Sequence, residues 1–145
     1  MAMAMALPVA DAPPATFGIG AEADLIRVRQ ALRAEAQRAG LGLVDQTKLI
    51  TAGSELARNI LTYADGSRGS LLVEQVRGGG RSGVRATFTD DGPGIEDLEL
   101  ALTDGFSTSG SLGLGLPGSR RLVDEMVITS TREQGTTVVI VKWAR

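Results

Sequence analysis

The residues best suited to chemistry fall in three segments of the sequence. Glu55 and Asn59 lie four positions apart in a stretch with helical periodicity, so their side chains share one face of the predicted helix. A carboxylate beside an amide oxygen can hold a general base next to a magnesium ligand. An isolated pair of this kind is more often a solvated polar face, so the pair alone does not establish a site.

The second segment is the acidic turn Asp90-Asp91-Gly92-Pro93-Gly94, which directly follows a predicted strand. An acid at a strand end, followed by two glycines, places a carboxylate at the lip of a cavity. There it can accept a hydrogen bond from an exocyclic amine, and the glycines let the backbone come close to a flat ring. The alternative is a tight Pro-Gly turn that only closes the strand.

The third segment, residues 105–118, is rich in glycine, serine and threonine and leads into a predicted helix. Its backbone N–H groups and the helix N-terminus can hold an anion such as a phosphate chain. The alternative is a flexible surface loop, but Leu112, Leu114 and Leu116 argue against a purely solvated one. A literal G-x-G-x-x-G match at 113–118 follows no predicted strand, which argues against a dinucleotide site.

Composition limits the chemistry that these segments can perform. The 145 residues form one domain of ordinary size and include neither cysteine nor histidine. Thiolate nucleophiles, Ser-His-Asp triads and sulfur- or histidine-ligated metals are therefore excluded, and magnesium is the expected type of metal. The net charge of -2 gives no electrostatic case for nucleic acid or an anionic membrane, and no apolar run is long enough for a membrane span. A cytoplasmic location is the resulting expectation.

Periodic patterns predict the elements that would position these residues. Helices are expected at 21–39, 45–63, 95–103 and 116–125, with Asp45 as the cap of the second. Strands are expected at 15–19, 71–77, 84–90, 127–131 and 136–143, with a loose connector at 78–83 and a flexible tail at 1–14. Clustered rather than alternating strands predict a single α+β domain at 15–145. Its architecture would be a two-layer sandwich, with a mixed, mostly antiparallel sheet and helices on one face.

Taken together, the three segments followed by Gly135-Thr136-Thr137 resemble the GHKL (Bergerat) ATPase superfamily. Further stretches are similar to the RsbT-type switch kinases within it: residues 54–60, 104–110 and 115–118, and the terminal Lys142-Trp143. The resemblance runs from about Asp24 to Arg145. It implies the Bergerat fold, the use of ATP and Mg²⁺, release of ADP, and protein serine/threonine kinase activity.

The resemblance also implies a role for individual residues. Glu55 would be the general base, Asn59 would ligate magnesium, and Arg29 would lie near the γ-phosphate or the partner. Arg29 is equally read as a solvated helix arginine. The remaining nucleotide contacts would come from the base pocket and the glycine-rich lid: Asp90, Gly92, Gly94, Ser107, Thr108, Gly113, Leu114, Gly115, Leu116 and Thr136.

The partners implied by the resemblance are a STAS-domain protein as the substrate and a downstream phosphatase or other output protein. The module would be a stressosome or a related partner-switching system. The alternative is a nucleotide-gated anti-sigma factor or binding module with little turnover, because binding and catalysis use the same residues. A sigma factor would then be the partner.

Overall fold

The computed structural model describes residues 7–9, 13–63, 69–91, 115–131 and 135–145. Three helices occur in these ranges: α1 at Asp24–Arg38, α2 at Leu43–Tyr63 and α3 at Gly115–Leu122. The strands are β1 at Leu7–Pro8, β2 at Ala15–Ile19, β3 at Gly69–Gly78, β4 at Arg81–Asp90, β5 at Glu125–Thr131 and β6 at Gly135–Trp143. The short helix expected at 95–103 lies outside the described residues.

The strands form one six-stranded sheet in the order β1-β3-β4-β6-β5, with β2 also paired to β3. Every strand pair in the described part of the chain is antiparallel. Alternate residues of the central strands, such as Phe88, Val138 and Ile140, pack in one core with residues of α1 and α2. The helices therefore cover one face of the sheet, which confirms the α+β sandwich.

Helix α1 buries the stripe that its periodicity predicts: Leu25, Val28, Leu32, Ala36 and, just after the helix, Ala39. It ends in a hydrogen-bonded stop at Gly40, whose φ of 83° favours glycine. The Gly40 N–H donates to the Gln37 carbonyl at 3.1 Å, and the Leu41 N–H donates to the Ala36 carbonyl at 3.0 Å. Gly40 thus sends the chain back antiparallel to α1.

Asp24 closes the turn that precedes α1. Its Oδ2 accepts hydrogen bonds from the Gly20 N–H at 2.8 Å and the Ala21 N–H at 3.0 Å, and its Oδ1 pairs with Arg27. The bond from the Gly20 N–H, followed by those from Arg27 and the Ala21 N–H, holds the pKa of Asp24 below its ordinary value.

Helix α2 begins at Leu43 rather than at the expected Asp45. The Gln46 N–H already donates to the Gly42 carbonyl at 2.9 Å, so Asp45 lies within the first turn and is not the cap. The predicted buried residues Leu49, Ala52, Leu56 and Ile60 are confirmed. The burial predicted for the Tyr63 side chain stays a prediction, because that side chain lies outside the part that the structure describes.

Close packing of α2 depends on glycine at position 53. A Cβ built there would collide with Leu32 Cδ1 and lie 3.4 Å from Phe88 Cζ. Gly53 therefore lets α1 and the sheet approach the middle of α2 at the same point, and it fixes the height of the helix above β4.

The connector between β3 and β4 is a tight turn, so the prediction of a loose loop at 78–83 is wrong. Gly78 already pairs with Arg81, and only Gly79 and Gly80 lie between the strands, with φ values of 57° and 78°. Two successive residues of positive φ match the right-handed twist of a hairpin. Within β4, Gly83 packs under Trp143, whose Cε3 would lie 2.6 Å from an added Cβ.

The N-terminal tail and helix α3 also differ from the prediction. Leu7 and Pro8, assigned to the flexible tail 1–14, instead pair with Arg77 and Val76 of β3. The predicted helix at 116–125 ends at Leu122, and β5 begins at Glu125. Among the helices described, none combines the length and apolar character needed to cross a membrane.

Candidate functional site

Helix α2 presents Glu55 and Asn59 on a face separate from its core face. The residues that follow each of them, Leu56 and Ile60, are buried in the core, whereas Glu55 and Asn59 are both half-buried. Half-burial leaves a side chain reachable by a ligand while limiting its rotamers. The structure therefore keeps this carboxylate and amide together on one helix face, as their spacing predicts.

Arg29 approaches this helix face from α1. Its Nε donates a hydrogen bond to Ser54 Oγ at 3.1 Å, and Ser54 Oγ donates to the Ile50 carbonyl at 2.7 Å. Ser54 precedes Glu55 in α2, so this bond ties Arg29 to the helical turn that carries the candidate base. Arg29 is half-buried, and its role toward a phosphate stays a prediction.

Three polar side chains form a row across the end of the sheet. Asp90 of β4 is paired with Thr136 of β6, and Thr136 is paired with Ser130 of β5. All three lie in register with the residues of their strands that face the helices, such as Phe88, Val138 and Ile128. The row therefore faces the layer that contains Glu55 and Asn59.

Gly135 brings the start of β6 against the end of β4. Its φ is 79°, and an added Cβ would collide with the Asp90 carbonyl oxygen and lie 2.9 Å from Asp91 Cα. These contacts are with backbone, which cannot rotate away. Only glycine fits here, and its small size sets the spacing between Asp90 and Thr136.

The second half of α2 passes over this end of the sheet. Gly69 is paired with Asp90, and a Cβ added to Gly69 would collide with Ile60 Cγ2 and lie 3.3 Å from the Ile19 carbonyl oxygen. Ile60 is the neighbour of Asn59. The missing side chain at position 69 therefore lets the turn that carries Asn59 settle at the same end of the sheet as Asp90.

Helix α3 begins at Gly115, whose φ of 66° again favours glycine, and Ser119 Oγ donates to the Gly115 carbonyl at 3.0 Å. Pro117, Gly118 and Ser119 are buried, and Leu116 packs on the main core. The lid and turn residues Gly92, Gly94, Ser107, Thr108, Gly113 and Leu114 lie outside the described residues, so their proposed contacts stay predictions.

A charged cluster joins the opposite end of α2 to the C-terminus. Lys142 is only 3% exposed, and its Nζ lies 3.5 Å from Asp45 Oδ1 and 3.6 Å from Asp124 Oδ1. Arg145 pairs with the same two carboxylates, at 3.6 Å and 2.9 Å. The Trp143 N–H donates to Asp124 Oδ2 at 2.7 Å. The cluster ties α2 to the turn after α3, a link that sequence reasoning missed because its members are far apart in the chain.

The donor set suits magnesium held jointly with a phosphate ligand. Among the residues described, no three acidic side chains converge into a self-sufficient metal site. Asn59 nevertheless offers an amide oxygen on the half-buried face beside Glu55. Magnesium commonly takes one or two protein oxygens and completes its shell with phosphates and water.

Comparisons with known proteins find similarity over most of the chain. A family model described as histidine kinase-, DNA gyrase B-, and HSP90-like ATPase matches residues 44–144. The chain is 46% identical over 124 residues to the serine/threonine-protein kinase RsbT of Bacillus subtilis (strain 168), covering 86% of this chain and 92% of that protein. It is 28% identical over 99 residues to the anti-sigma F factor of Clostridium novyi (strain NT), covering 66% of this chain and 69% of that factor.

A solved structure extends the likeness to the fold. The nucleotide-free catalytic domain of histidine kinase ThkA matches with a TM-score of 0.53 at 15% identity, covering 89% of this chain and 95% of that chain. At this level of identity the likeness concerns the fold alone.

Proposed function

The chain belongs to the histidine kinase-, DNA gyrase B- and HSP90-like ATPase family as a serine/threonine-protein kinase of the RsbT type, and we propose that it phosphorylates a STAS-domain partner. ATP is the phosphoryl donor, and the acceptor is a serine or threonine hydroxyl of that partner. The phosphorylation releases the kinase to bind and activate a downstream output protein, such as a phosphatase.

The observation that carries the proposal is that the candidate catalytic residues and the candidate base-binding residues lie at the same end of the fold. Glu55 and Asn59 share the open face of α2, and Asp90 and Thr136 lie in the row at the end of the sheet below it. The residues that we propose to bind the base lie at the end of the sheet that α2 crosses, which supports the proposal. This arrangement fits a nucleotide that spans from the sheet end toward α2.

In the proposed transfer, the oxygen of the partner's hydroxyl forms a bond to the γ-phosphorus as the bond from that phosphorus to the ADP oxygen breaks. Glu55 accepts the hydroxyl proton as it leaves, and ADP departs with the electron pair of the broken bond. Arg29, hydrogen-bonded to the turn of α2 that carries Glu55, contributes positive charge near the transferred group. Asn59 would hold magnesium, and a bound magnesium ion would supply positive charge to offset that of the phosphates.

Recognition of the base is assigned to the sheet end. The Asp90 carboxylate accepts a hydrogen bond from the exocyclic amine of adenine, and the Thr136 hydroxyl completes the pocket. Gly135, which precedes Thr136, lets the start of β6 lie against the Asp90 carbonyl. Recognition of the base requires only hydrogen-bonding groups, so it is equally compatible with a nucleotide-binding protein and with a kinase.

A second candidate is a nucleotide-gated binding protein that sequesters a sigma factor with little turnover. The observation in its favour is the similarity to the anti-sigma F factor of Clostridium novyi. Its identity is lower and its coverage smaller than those of the kinase relative. We therefore rank the kinase function first.

The test is phosphotransfer from ATP, with magnesium, to candidate STAS proteins, comparing the wild-type chain with Glu55→Gln. Removal of a general base lowers the rate by about 100-fold or more, whereas ATP affinity should change by less than about twofold. Glu22→Gln, an exposed carboxylate before α1, is the matched control and should transfer normally.

Full activity of Glu55→Gln would refute the assignment of the base. A wild-type chain that binds ATP and a sigma factor, yet phosphorylates no STAS protein, would support the sequestering function instead.

A further inference from the structure

We propose that Ser130 is a positioning residue of the nucleotide pocket: it fixes the hydroxyl of Thr136 and so makes the site prefer adenine over 6-oxo purines. The inference rests on the proposed ATP-binding function and adds to it a residue from a neighbouring strand. The carrying observation is the contact between Ser130 Oγ and Thr136 Oγ1, which are 2.8 Å apart.

The geometry makes this contact a constraint on Thr136. Ser130 and Thr136 are directly paired residues of β5 and β6, so their side chains stand next to each other on the same face of the sheet. Thr136 is only 8% exposed, which limits the water available to its hydroxyl. Its Oγ1 is therefore oriented by the protein, and Ser130 is the side-chain partner on the side away from Asp90.

The direction of this hydrogen bond decides what Thr136 can offer to a base. If Ser130 donates to Thr136 Oγ1, the Thr136 proton remains free to be donated to a ligand. Either hydroxyl can be the donor in this contact, and the proposal takes Ser130 as the donor, because Thr136 can then donate to the ring-nitrogen acceptor next to the exocyclic amine of adenine. The ionised Asp90 carboxylate then accepts a hydrogen bond from the amine, and the Thr136 hydroxyl donates one to the neighbouring ring nitrogen.

A 6-oxo purine presents the opposite pattern. Its carbonyl oxygen would face the Asp90 carboxylate, and its ring N–H would face the proton of Thr136. If Ser130 did not hold that proton toward the ligand, the Thr136 hydroxyl could rotate and accept from the ring N–H. Ser130 therefore contributes to selectivity, whereas a purely structural contact would affect both purines equally.

The experiment measures dissociation constants for ATP and ITP by calorimetry in four single variants and one double variant of the full chain. Ser130→Ala should weaken ATP binding by about fivefold, the value of one neutral hydrogen bond, and should narrow the ATP-to-ITP preference by a similar factor. Ser130→Thr keeps a hydroxyl and should restore both values. Thr129→Ala, an exposed neighbour on the other face of β5, is the control and should change neither.

A double-mutant cycle with Thr136→Val separates a direct effect from one that acts through Thr136. If Ser130 acts through Thr136, the Ser130→Ala change should add nothing in the Thr136→Val background. The inference is overturned if Ser130→Ala leaves the ATP-to-ITP ratio unchanged, including the case in which both affinities fall together with the melting temperature. If the wild-type chain still binds ATP in that case, only the inference about Ser130 fails. If the wild-type chain does not bind ATP, the proposed function itself is refuted.

Discussion

Replacing Gly135 with alanine should damage both the stability of the fold and its nucleotide site. The added Cβ would meet the backbone of Asp90 and Asp91 rather than a side chain that can move away. To relieve the collision, the start of β6 must shift away from the end of β4. Because Asp90 and Thr136 are paired at that point, the shift changes the separation of these two residues, which we propose to bind the base.

The magnitude combines two effects. An alanine at the φ of 79° observed for Gly135 is strained by about 1 kcal/mol. Overpacking against neighbours that yield only by moving backbone adds about 2 kcal/mol. We therefore expect the free energy of unfolding to fall by about 3 kcal/mol, and ATP affinity to fall by about tenfold because the contact residues are displaced.

Gly79 in the hairpin turn and Gly83 in β4 serve to measure backbone strain and overpacking separately. Gly79 has a φ of 57° with nothing within 4 Å of an added Cβ, so Gly79→Ala should cost about 1 kcal/mol through strain alone. Gly83 has no such φ, but an added Cβ would lie 2.6 Å from Trp143 Cε3 and 2.8 Å from the Lys142 carbonyl oxygen. Gly83→Ala should therefore cost about 2 kcal/mol through overpacking. Neither control should weaken ATP binding.

Urea unfolding gives the stability of each variant, and calorimetry gives its affinity for ATP. The reasoning is refuted if Gly135→Ala is no less stable than Gly79→Ala. It is also refuted if Gly83→Ala weakens ATP binding as much as Gly135→Ala does, since the loss would then follow stability rather than the position of Asp90.

Two further predictions concern charged groups. Lys142→Ala should lower the free energy of unfolding by about 3 kcal/mol, because Asp45 and Asp124 lose a buried cation. Lys142→Met keeps most of the apolar stem, so its free energy of unfolding should fall by about 1 kcal/mol less than that of Lys142→Ala. If urea unfolding shows Lys142→Met to be as stable as the wild-type chain, the charge has no stabilising role. Because the folded-state pKa of Asp24 is lowered, the stability it contributes is present above its unfolded pKa of about 3.9 and is lost as the pH falls through the lower folded value. The stability difference between the wild-type chain and Asp24→Asn should accordingly be constant near neutral pH and vanish in strong acid. Thermal melts at neutral and at acidic pH measure this difference. A difference that does not change with pH would disprove the prediction.

The helices and the central strands could be predicted because each leaves a local pattern in the sequence. Leu25, Val28 and Leu32 recur with the helical period, and Val84, Ala86 and Phe88 alternate with polar residues; both sets are buried. The pairing of Glu55 with Asn59 on one helix face follows from the same periodicity. In these cases the property of interest depends on residues within a few positions of one another.

Contacts between distant segments leave no such pattern. The bond from Arg29 to Ser54 joins residues 25 positions apart, and the pairing of Leu7 with Arg77 depends on a free edge of β3. The prediction of a loose loop at 78–83 fails for another reason. Many glycines in a row suggested flexibility, although two of them supply the positive φ values that a tight hairpin requires.

The packing of Trp143 gives this chain a built-in optical probe. It is the single tryptophan of the sequence, it is 9% exposed, and its Nε1 donates to Glu125 Oε2 at 2.8 Å. Trp143 lies seven residues along β6 from Thr136, about 23 Å at the rise of a strand. Its fluorescence should therefore report unfolding of the sheet while remaining silent to a ligand at the Asp90 end, which allows stability and binding to be followed independently in one sample.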